Sequence, residues 1–432
     1  MRNKLIILLF LTFSSCSQKE DLSLIHGFSK EKLKNIDVYA NDLIKKNILP
    51  GLVIMVKRGE NLVFHKSFGY SDAERKIRLD KNAIFRFASI TKLITSVGIL
   101  KLWEEGKIDL EDPIEKYIPE FKNTNVFVEL NPKDSSYIMR PTKNKITIRH
   151  LLTHTSGIGY GIHDGDQEYS DMYKDLFSKS GLVELYSTDS ITQTENIKNL
   201  TKIPLLDDPG KEFHYSLSID VLGNVIEIIT QKSLKEFFND EFFGPLEMNN
   251  TFFYLPEDKK HLLIPVLTND NGYFTKHTDE NYDSDYPIKG AKTFFSGGTG
   301  LCGTISDYSN FLTMLVNGGR FKQQQILGKK TIELMQKNQL SQKGGIEYYG
   351  KKVGHGLASG VTINSENIVN GFSRTNLSGT GDSGTLFWTG MFGTHYFANP
   401  NDGSIILVFK QYSSTEDSIN VISRIILHAS TE

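Results

Sequence analysis

Apolar residues recur with a helical period over residues 31–46, where Leu33, Ile36, Val38, Leu43 and Ile44 form an approximate stripe that Pro50-Gly51 ends. Two apolar runs follow, Leu52-Val53-Ile54-Met55-Val56 and Leu62-Val63-Phe64, on either side of Arg58-Gly59-Glu60-Asn61. That arrangement predicts a β-hairpin. Residues 93–105 return to the helical period through Leu93, Ile94, Val97, Leu100 and Trp103, and Gly106 stops them. From about residue 106 to residue 290 the pattern alternates between helical stretches and loops, with a clear amphipathic helix at 220–230 and another at 307–316. Strand patterns reappear at 394–398 and 404–409, parted by Asn399-Pro400-Asn401-Asp402-Gly403, and an apolar-faced helix at 418–428 closes the chain. Strands at both ends and helices between them predict one split α/β (α+β) unit, with its α/β part at 31–95 and 290–432 and a helical lobe at 96–289. Neither an internal repeat nor a low-complexity linker interrupts it.

The composition, 39% hydrophobic and 23% charged over 432 residues, is that of a globular protein. Its 49 basic and 51 acidic residues give a net charge of -2 and no basic footprint for a nucleic acid. The beginning is different. Arg2 and Lys4 precede an apolar run at 5–13 that is too short to span a bilayer, and Ser14-Ser15-Cys16 follows. This resembles the lipobox of bacterial lipoproteins, although Phe13 stands where Leu is usual. The resemblance implies a signal peptide at 1–16, acylation of Cys16, a tether at 17–30, and attachment through lipid to the outer membrane of a Gram-negative cell. A plain signal peptide, cleaved or retained, is the alternative. Ser17-Gln18-Lys19-Glu20-Asp21 resembles a surface-export signal but reads equally as a solvated tether, so the periplasmic side and the cell surface both stay open. Cys16 and Cys302 are the only cysteines, and a lipid on Cys16 would leave no intrachain disulfide. Cys302, within the Gly-rich run 297–303, reads as a small buried thiol; no metal or other cofactor is expected.

The main chemical signal is Ser89-Ile90-Thr91-Lys92. Residues three apart share a helix face, so the Ser89 hydroxyl and the Lys92 amine can meet. A serine alcohol needs a base to become a nucleophile, and a helix N-terminus favours the negative charge that then develops. Taken alone, the same four residues describe a helix cap followed by an exposed lysine. The wider context is more specific. The segment Phe85-Arg86-Phe87-Ala88-Ser89-Ile90-Thr91-Lys92 resembles the nucleophile segment of the serine β-lactamase and penicillin-binding-protein family. Blocks at 106–113, 146–157, 209–216 and 297–320 resemble later blocks of that family in the same order. The resemblance covers the chain from about residue 30 onward. It implies one β-lactamase/transpeptidase-like domain at 31–432, with a mostly antiparallel sheet flanked by helices and a helical lobe over the cleft.

Within that family, Tyr215 falls where class C β-lactamases and their esterase relatives (the family VIII carboxylesterases) keep a catalytic tyrosine. A phenolate beside the Lys92 ammonium could serve as base, and a desolvated Lys92 could itself help to remove the serine proton. Two departures bear on substrate. Tyr215-Ser216-Leu217 replaces the Tyr-x-Asn of β-lactamases, and Trp388-Thr389-Gly390 replaces their Lys-Thr-Gly, resembling the Trp-x-Gly of the esterase branch. A lysine there would hold a substrate carboxylate, whereas Trp388 offers an apolar face. The resemblance also places the oxyanion between the backbone N–H groups of Ser89 and Met391. The implied activity is hydrolysis of a small acyl ester, or of a cell-wall type substrate, through an acyl-enzyme. A penicillin-binding carboxypeptidase or β-lactamase is one alternative, and a surface lipoprotein that binds without turnover is another. Oligomeric state is not legible.

Three other patterns carry less. Gly381-Asp382-Ser383-Gly384 is similar to the nucleophile region of trypsin-like proteases, but those need an all-β chain. His150 and His154 have metal-ligand spacing without the adjacent glutamate of a zinc helix, and read as structural histidines. No Gly-x-Ser-x-Gly elbow occurs, which argues against an α/β-hydrolase.

Overall fold

A computed structural model describes residues 23–431, apart from 73–75, 131–136, 162–166, 279–281, 341–345, 349–350, 358, 364–382 and 413–417. The expectations for Cys16 and its signal peptide lie outside the described residues.

The expected hairpin is present as β1 (Gly51–Arg58) and β2 (Asn61–Asp72). A short β3 (Ile77–Arg78) follows, and six strands come from the far end of the chain. These are β4 (Ile346–Tyr348), β5 (Lys351–His355), β6 (Gly360–Val361), β7 (Leu386–Thr389), β8 (Thr394–Ala398) and β9 (Ser404–Phe409). They form one nine-stranded sheet in the order β4-β5-β6-β7-β8-β9-β1-β2-β3. All its pairings are antiparallel. The two ends of the chain join where β9 pairs with β1, from Ser404↔Arg58 to Phe409↔Val53. A two-stranded hairpin is marginal on its own in water, so β1 and β2 gain their stability from this union.

Side chains alternate across the sheet, and the alternation sorts its core into two layers. Val53, Met55, Trp388, Tyr396, Leu407 and Phe409 face one side. There they pack with α2 (Thr91–Glu104), α3 (Ser218–Thr230) and α4 (Ile305–Val316). Ile54, Val56, Phe387, Phe397, Ile406 and Val408 face the other. That side is covered by α1 (Lys30–Lys45) and α5 (Ser418–Ala429), which pack on each other. The helix α2 is buried on almost every face, from Thr91 to Leu102 with Lys101 excepted. It is the central rod between sheet and lobe.

The stretch between α2 and α4 holds helices at Gln167–Ser180 and Gln193–Leu200 besides α3. It also holds two small hairpins, Asn125–Leu130 with Tyr137–Pro141 and Leu267–Asp270 with Tyr273–Lys276. The architecture is the β-lactamase/transpeptidase-like arrangement expected from the sequence.

Candidate active site

Ser89 lies in a single 3-10 turn, Ala88–Ile90, directly ahead of α2. Three hydrogen bonds fix that turn. The Phe87 N–H donates to Leu301 O at 2.9 Å, Thr394 Oγ1 donates to Phe87 O at 2.7 Å, and Tyr308 OH donates to Ile90 O at 2.9 Å. The Phe87 ring packs edge-on against Tyr308 and Phe409, with centroids 5.1 and 5.8 Å away. Ala88 has φ +49°. A left-handed alanine costs roughly 1–2 kcal/mol, and the surrounding bonds hold it there. Ser89 is half-buried between the buried Ala88 and Ile90, so it is the residue of this turn that remains open to a ligand.

The helical spacing brings Lys92 Nζ to 3.4 Å from Ser89 Oγ. Lys92 is only 2% exposed, and a buried ammonium must find acceptors. It donates to Tyr160 OH at 3.1 Å and to Gly298 O at 3.0 Å. It also lies over the Tyr215 ring, 4.8 Å from its centroid, within cation–π range. Burial pushes the Tyr160 phenol well above its usual range, and nearby Tyr215 and Asp220 push in the same direction. Tyr160 therefore stays neutral and acts as an anchor for the ammonium.

Tyr215 stands just ahead of α3 and is half-buried. Its hydroxyl accepts a hydrogen bond from Trp388 Nε1 at 3.1 Å, and the two rings lie 5.2 Å apart at 35°. The His154 ring covers it from another side at 4.7 Å. Burial holds His154 well below the usual histidine range, and burial brings His355, which packs against Trp388, down to about 4. Both imidazoles are thus neutral near pH 7 and bring no competing charge. Trp388 reaches Tyr215 because the alternation along β7 turns Leu386 and Trp388 toward α2 and Phe387 away. Trp388, expected to offer the substrate an apolar face, also donates its indole N–H to Tyr215, and the residue is 5% exposed.

The turn after β7 closes on the nucleophile. The Gly390 N–H donates to Thr394 O at 2.7 Å, and Thr389 Oγ1 donates to the same carbonyl at 3.3 Å. A Cβ on Gly390 would collide with Phe87 O and with Thr394 Oγ1, so this position requires glycine. Met391, 43% exposed, follows Gly390, which itself abuts Phe87 and Ala88.

Other residues singled out in the sequence lie elsewhere or serve the fold. His150 Nδ1 accepts from the Thr147 N–H at 3.2 Å and caps a short helix, Ile148–Leu152. His154 Nδ1 is 3.2 Å from Ser216 Oγ. Ser383 is exposed in a turn where its carbonyl accepts from Asn401 Nδ2 at 3.2 Å; Gly381 and Asp382 lie outside the described residues. Cys302 is a buried free thiol that donates to Phe252 O at 3.2 Å, and burial pushes it up to about 12. Sequence reasoning missed Tyr160 and the Gly298 carbonyl. Tyr160 follows Gly157-Ile158-Gly159 in a loop without a motif, and a backbone oxygen leaves no mark in a sequence.

The chain was compared with known proteins. The sequence model of the Beta-lactamase family matches residues 37–429. Protein Rv1367c of Mycobacterium tuberculosis is 28% identical over 375 residues, spanning 84% of this chain and 86% of that protein. Esterase EstB of Burkholderia gladioli is 28% identical over 225 residues, 52% of each chain. Among solved structures, EstCE1, a hydrolase with promiscuous acyltransferase activity, shares the fold with a TM-score of 0.73 at 23% identity, covering 93% of this chain and 99% of that one. A Ser-x-x-Lys pair in contact at the head of a buried helix, in a chain matched to one family over nearly its whole length, leads to one conclusion: the protein belongs to the β-lactamase family of serine hydrolases.

Proposed function

We propose that the protein is an esterase that works through an acyl-enzyme on Ser89, with Tyr215 as base and Lys92 as the cation that supports it. The observation that carries this reading is the bond from Trp388 to the Tyr215 hydroxyl beside the Ser89–Lys92 pair. An indole N–H on the phenol oxygen stabilises the negative charge that oxygen carries during proton transfer. The same indole occupies the place where a lysine would recognise a substrate carboxylate, and it removes that charge-assisted contact. An uncharged acyl ester suits such a site better than a penicillin or a peptide C-terminus. EstB is named an esterase, and EstCE1 a hydrolase with acyltransferase activity, which favours the same chemistry here.

In the first step Ser89 Oγ bonds to the ester carbonyl carbon while its proton passes to Tyr215. The oxyanion is received by the backbone N–H groups of Ser89 and Met391. Collapse expels the alcohol, which takes the proton back. Water then attacks the acyl-serine and releases the acid, or a second alcohol accepts the acyl group. Acylation of Cys16 would hold this domain at an outer membrane, on its periplasmic side or at the cell surface, with residues 17–30 as tether.

Whole-protein mass spectrometry after exposure to a fluorophosphonate tests the reading on a soluble form beginning at residue 17. One adduct is expected on the wild type and none on Ser89→Ala. Hydrolysis of short-chain p-nitrophenyl esters should then exceed that of penicillin by orders of magnitude. A stable penicillin adduct with slow turnover would favour the carboxypeptidase reading. No adduct on folded wild-type protein would favour a lipoprotein that binds without turnover.

A further inference from the structure

Asp220 is buried in the first turn of α3 and has no part in the steps above. Its Oδ1 accepts from Ser296 Oγ at 2.6 Å and from the Gly298 N–H at 3.1 Å. Its Oδ2 is buried without a hydrogen-bond partner among the described residues. A buried carboxylate with a free oxygen is costly unless a nearby positive charge compensates it. Burial pushes the Asp220 carboxyl above its usual range, and Lys92 is the charge that draws it back toward the carboxylate.

The two are linked through the glycine loop at 296–299. Gly298 donates its N–H to Asp220 and offers its carbonyl to Lys92 Nζ at 3.0 Å. Thr95 Oγ1, one turn beyond Lys92 on α2, donates to Gly297 O at 2.7 Å. Thr299 Oγ1 donates to Leu185 O at 2.9 Å. A Cβ at 298 would collide with Asp220 Oδ2, and one at 297 would crowd Thr95 and Ile219. Two glycines thus let the loop fit between α2 and α3, with the Gly298 backbone between the Asp220 carboxylate and the Lys92 amine.

We propose that Asp220 is a positioning residue of the active site: through the backbone of Gly298, whose N–H it accepts and whose carbonyl receives Lys92, it fixes Lys92 Nζ beside Ser89 and sets a buried carboxylate behind it. This rests on the hydrolase reading above and extends it. In that reading Lys92 is the cation of the site and Tyr215 its base, and Asp220 holds the cation in place. The other titratable groups facing Lys92 are Tyr160, Tyr215 and the neutral His154, with Glu184 and Tyr186 beyond Tyr160. Asp220 is the carboxylate joined to Lys92 through the backbone of a single residue, Gly298.

Asp220→Asn separates charge from shape, because the amide oxygen can still accept from Ser296 and Gly298. The expected result is a kcat lowered about tenfold or more with KM within about twofold, the size of effect ordinary for support of a general base. The kcat/KM pH profile should also shift, since a buried negative charge beside the site has been removed. A merely structural role would lower the melting temperature and leave the profile in place; that result, or wild-type kcat, overturns the proposal. Should Asp220→Asn not fold, Gly298→Ala drives a Cβ into Asp220 Oδ2 and displaces the carbonyl from Lys92. A kcat lowered tenfold or more supports the proposal, and an unchanged kcat overturns it. Fluorophosphonate labelling of the wild type runs in parallel. If Ser89 is not labelled there, the hydrolase reading fails and the proposal falls with it; if it is labelled, only the Asp220 assignment is at stake.

Discussion

Tyr160 and Tyr215 are the same side chain in two environments around one ammonium. Tyr160 is fully buried, and burial drives its phenol well up, so it is suited to accept from Lys92 and not to lose a proton. Tyr215 is half-buried, with an indole donor on its oxygen and Lys92 under its ring. The two phenylalanine substitutions should therefore differ. Tyr215→Phe removes the hydroxyl proposed as base, and ester hydrolysis should fall by roughly 10²–10⁴-fold in kcat. Tyr160→Phe removes one acceptor from an ammonium that keeps others, and should lower kcat by about tenfold, the equivalent of roughly 1.4 kcal/mol. Steady-state kinetics on one p-nitrophenyl ester, with folding checked by circular dichroism, distinguishes them. Trp388→Phe keeps the apolar ring and deletes the N–H. We expect it to lower kcat about tenfold and leave KM nearly unchanged, as befits an interaction that strengthens in the transition state.

At the scale of elements, the site is assembled by the contact between the turn after β7 and the turn before α2. Gly390 is where they meet, and it admits no side chain. Gly390→Ala should force these turns apart, destabilise the fold by about 1–3 kcal/mol, and reduce fluorophosphonate labelling of Ser89 more than it reduces stability. A thermal melt and a labelling time course on the same sample check this. The cap of α4 has a purely structural counterpart. Thr304 Oγ1 accepts the Asp307 N–H at 3.1 Å at the head of this helix. Thr304→Ala should cost about 1 kcal/mol of stability and leave kcat unaffected.

For the whole molecule, acidity is the revealing variable. His355 and His395 are fully buried and held neutral, at about 4 and about 3 against 6.5 in an open chain. Burial is the main cause for each, and the buried Lys410 adds to it for His395. Because these values are depressed, the unfolded chain binds their protons first as the pH falls. The stability they support is complete above about pH 6.5 and declines through pH 5 toward pH 3–4, by at most on the order of 3–5 kcal/mol for each. The urea midpoint should therefore drop clearly between pH 7.5 and pH 5. An unchanged midpoint would mean that these imidazoles are hydrated in solution.

The elements with strong periodicity were legible from the sequence. Helices expected at 31–46, 93–105, 220–230, 307–316 and 418–428 occur at Lys30–Lys45, Thr91–Glu104, Ser218–Thr230, Ile305–Val316 and Ser418–Ala429. The hairpin and the last two strands were equally clear, because alternation and turn residues are local signals. The edge strands β4 to β6 were not foreseen, since strands of two to five residues carry too little pattern to register. At the site, the sequence by itself determined that Ser89 and Lys92, three residues apart, come within reach of each other, and tertiary bonds to Phe87 and Ile90 fix the 3-10 turn that presents Ser89. Tertiary structure decided the rest. It directed the Trp388 N–H to Tyr215, chose Tyr160 and Gly298 as partners of Lys92, and set Asp220 behind them. These residues are brought together by the packing of α2, α3 and the sheet across long stretches of chain, and no local rule of spacing encodes such a meeting.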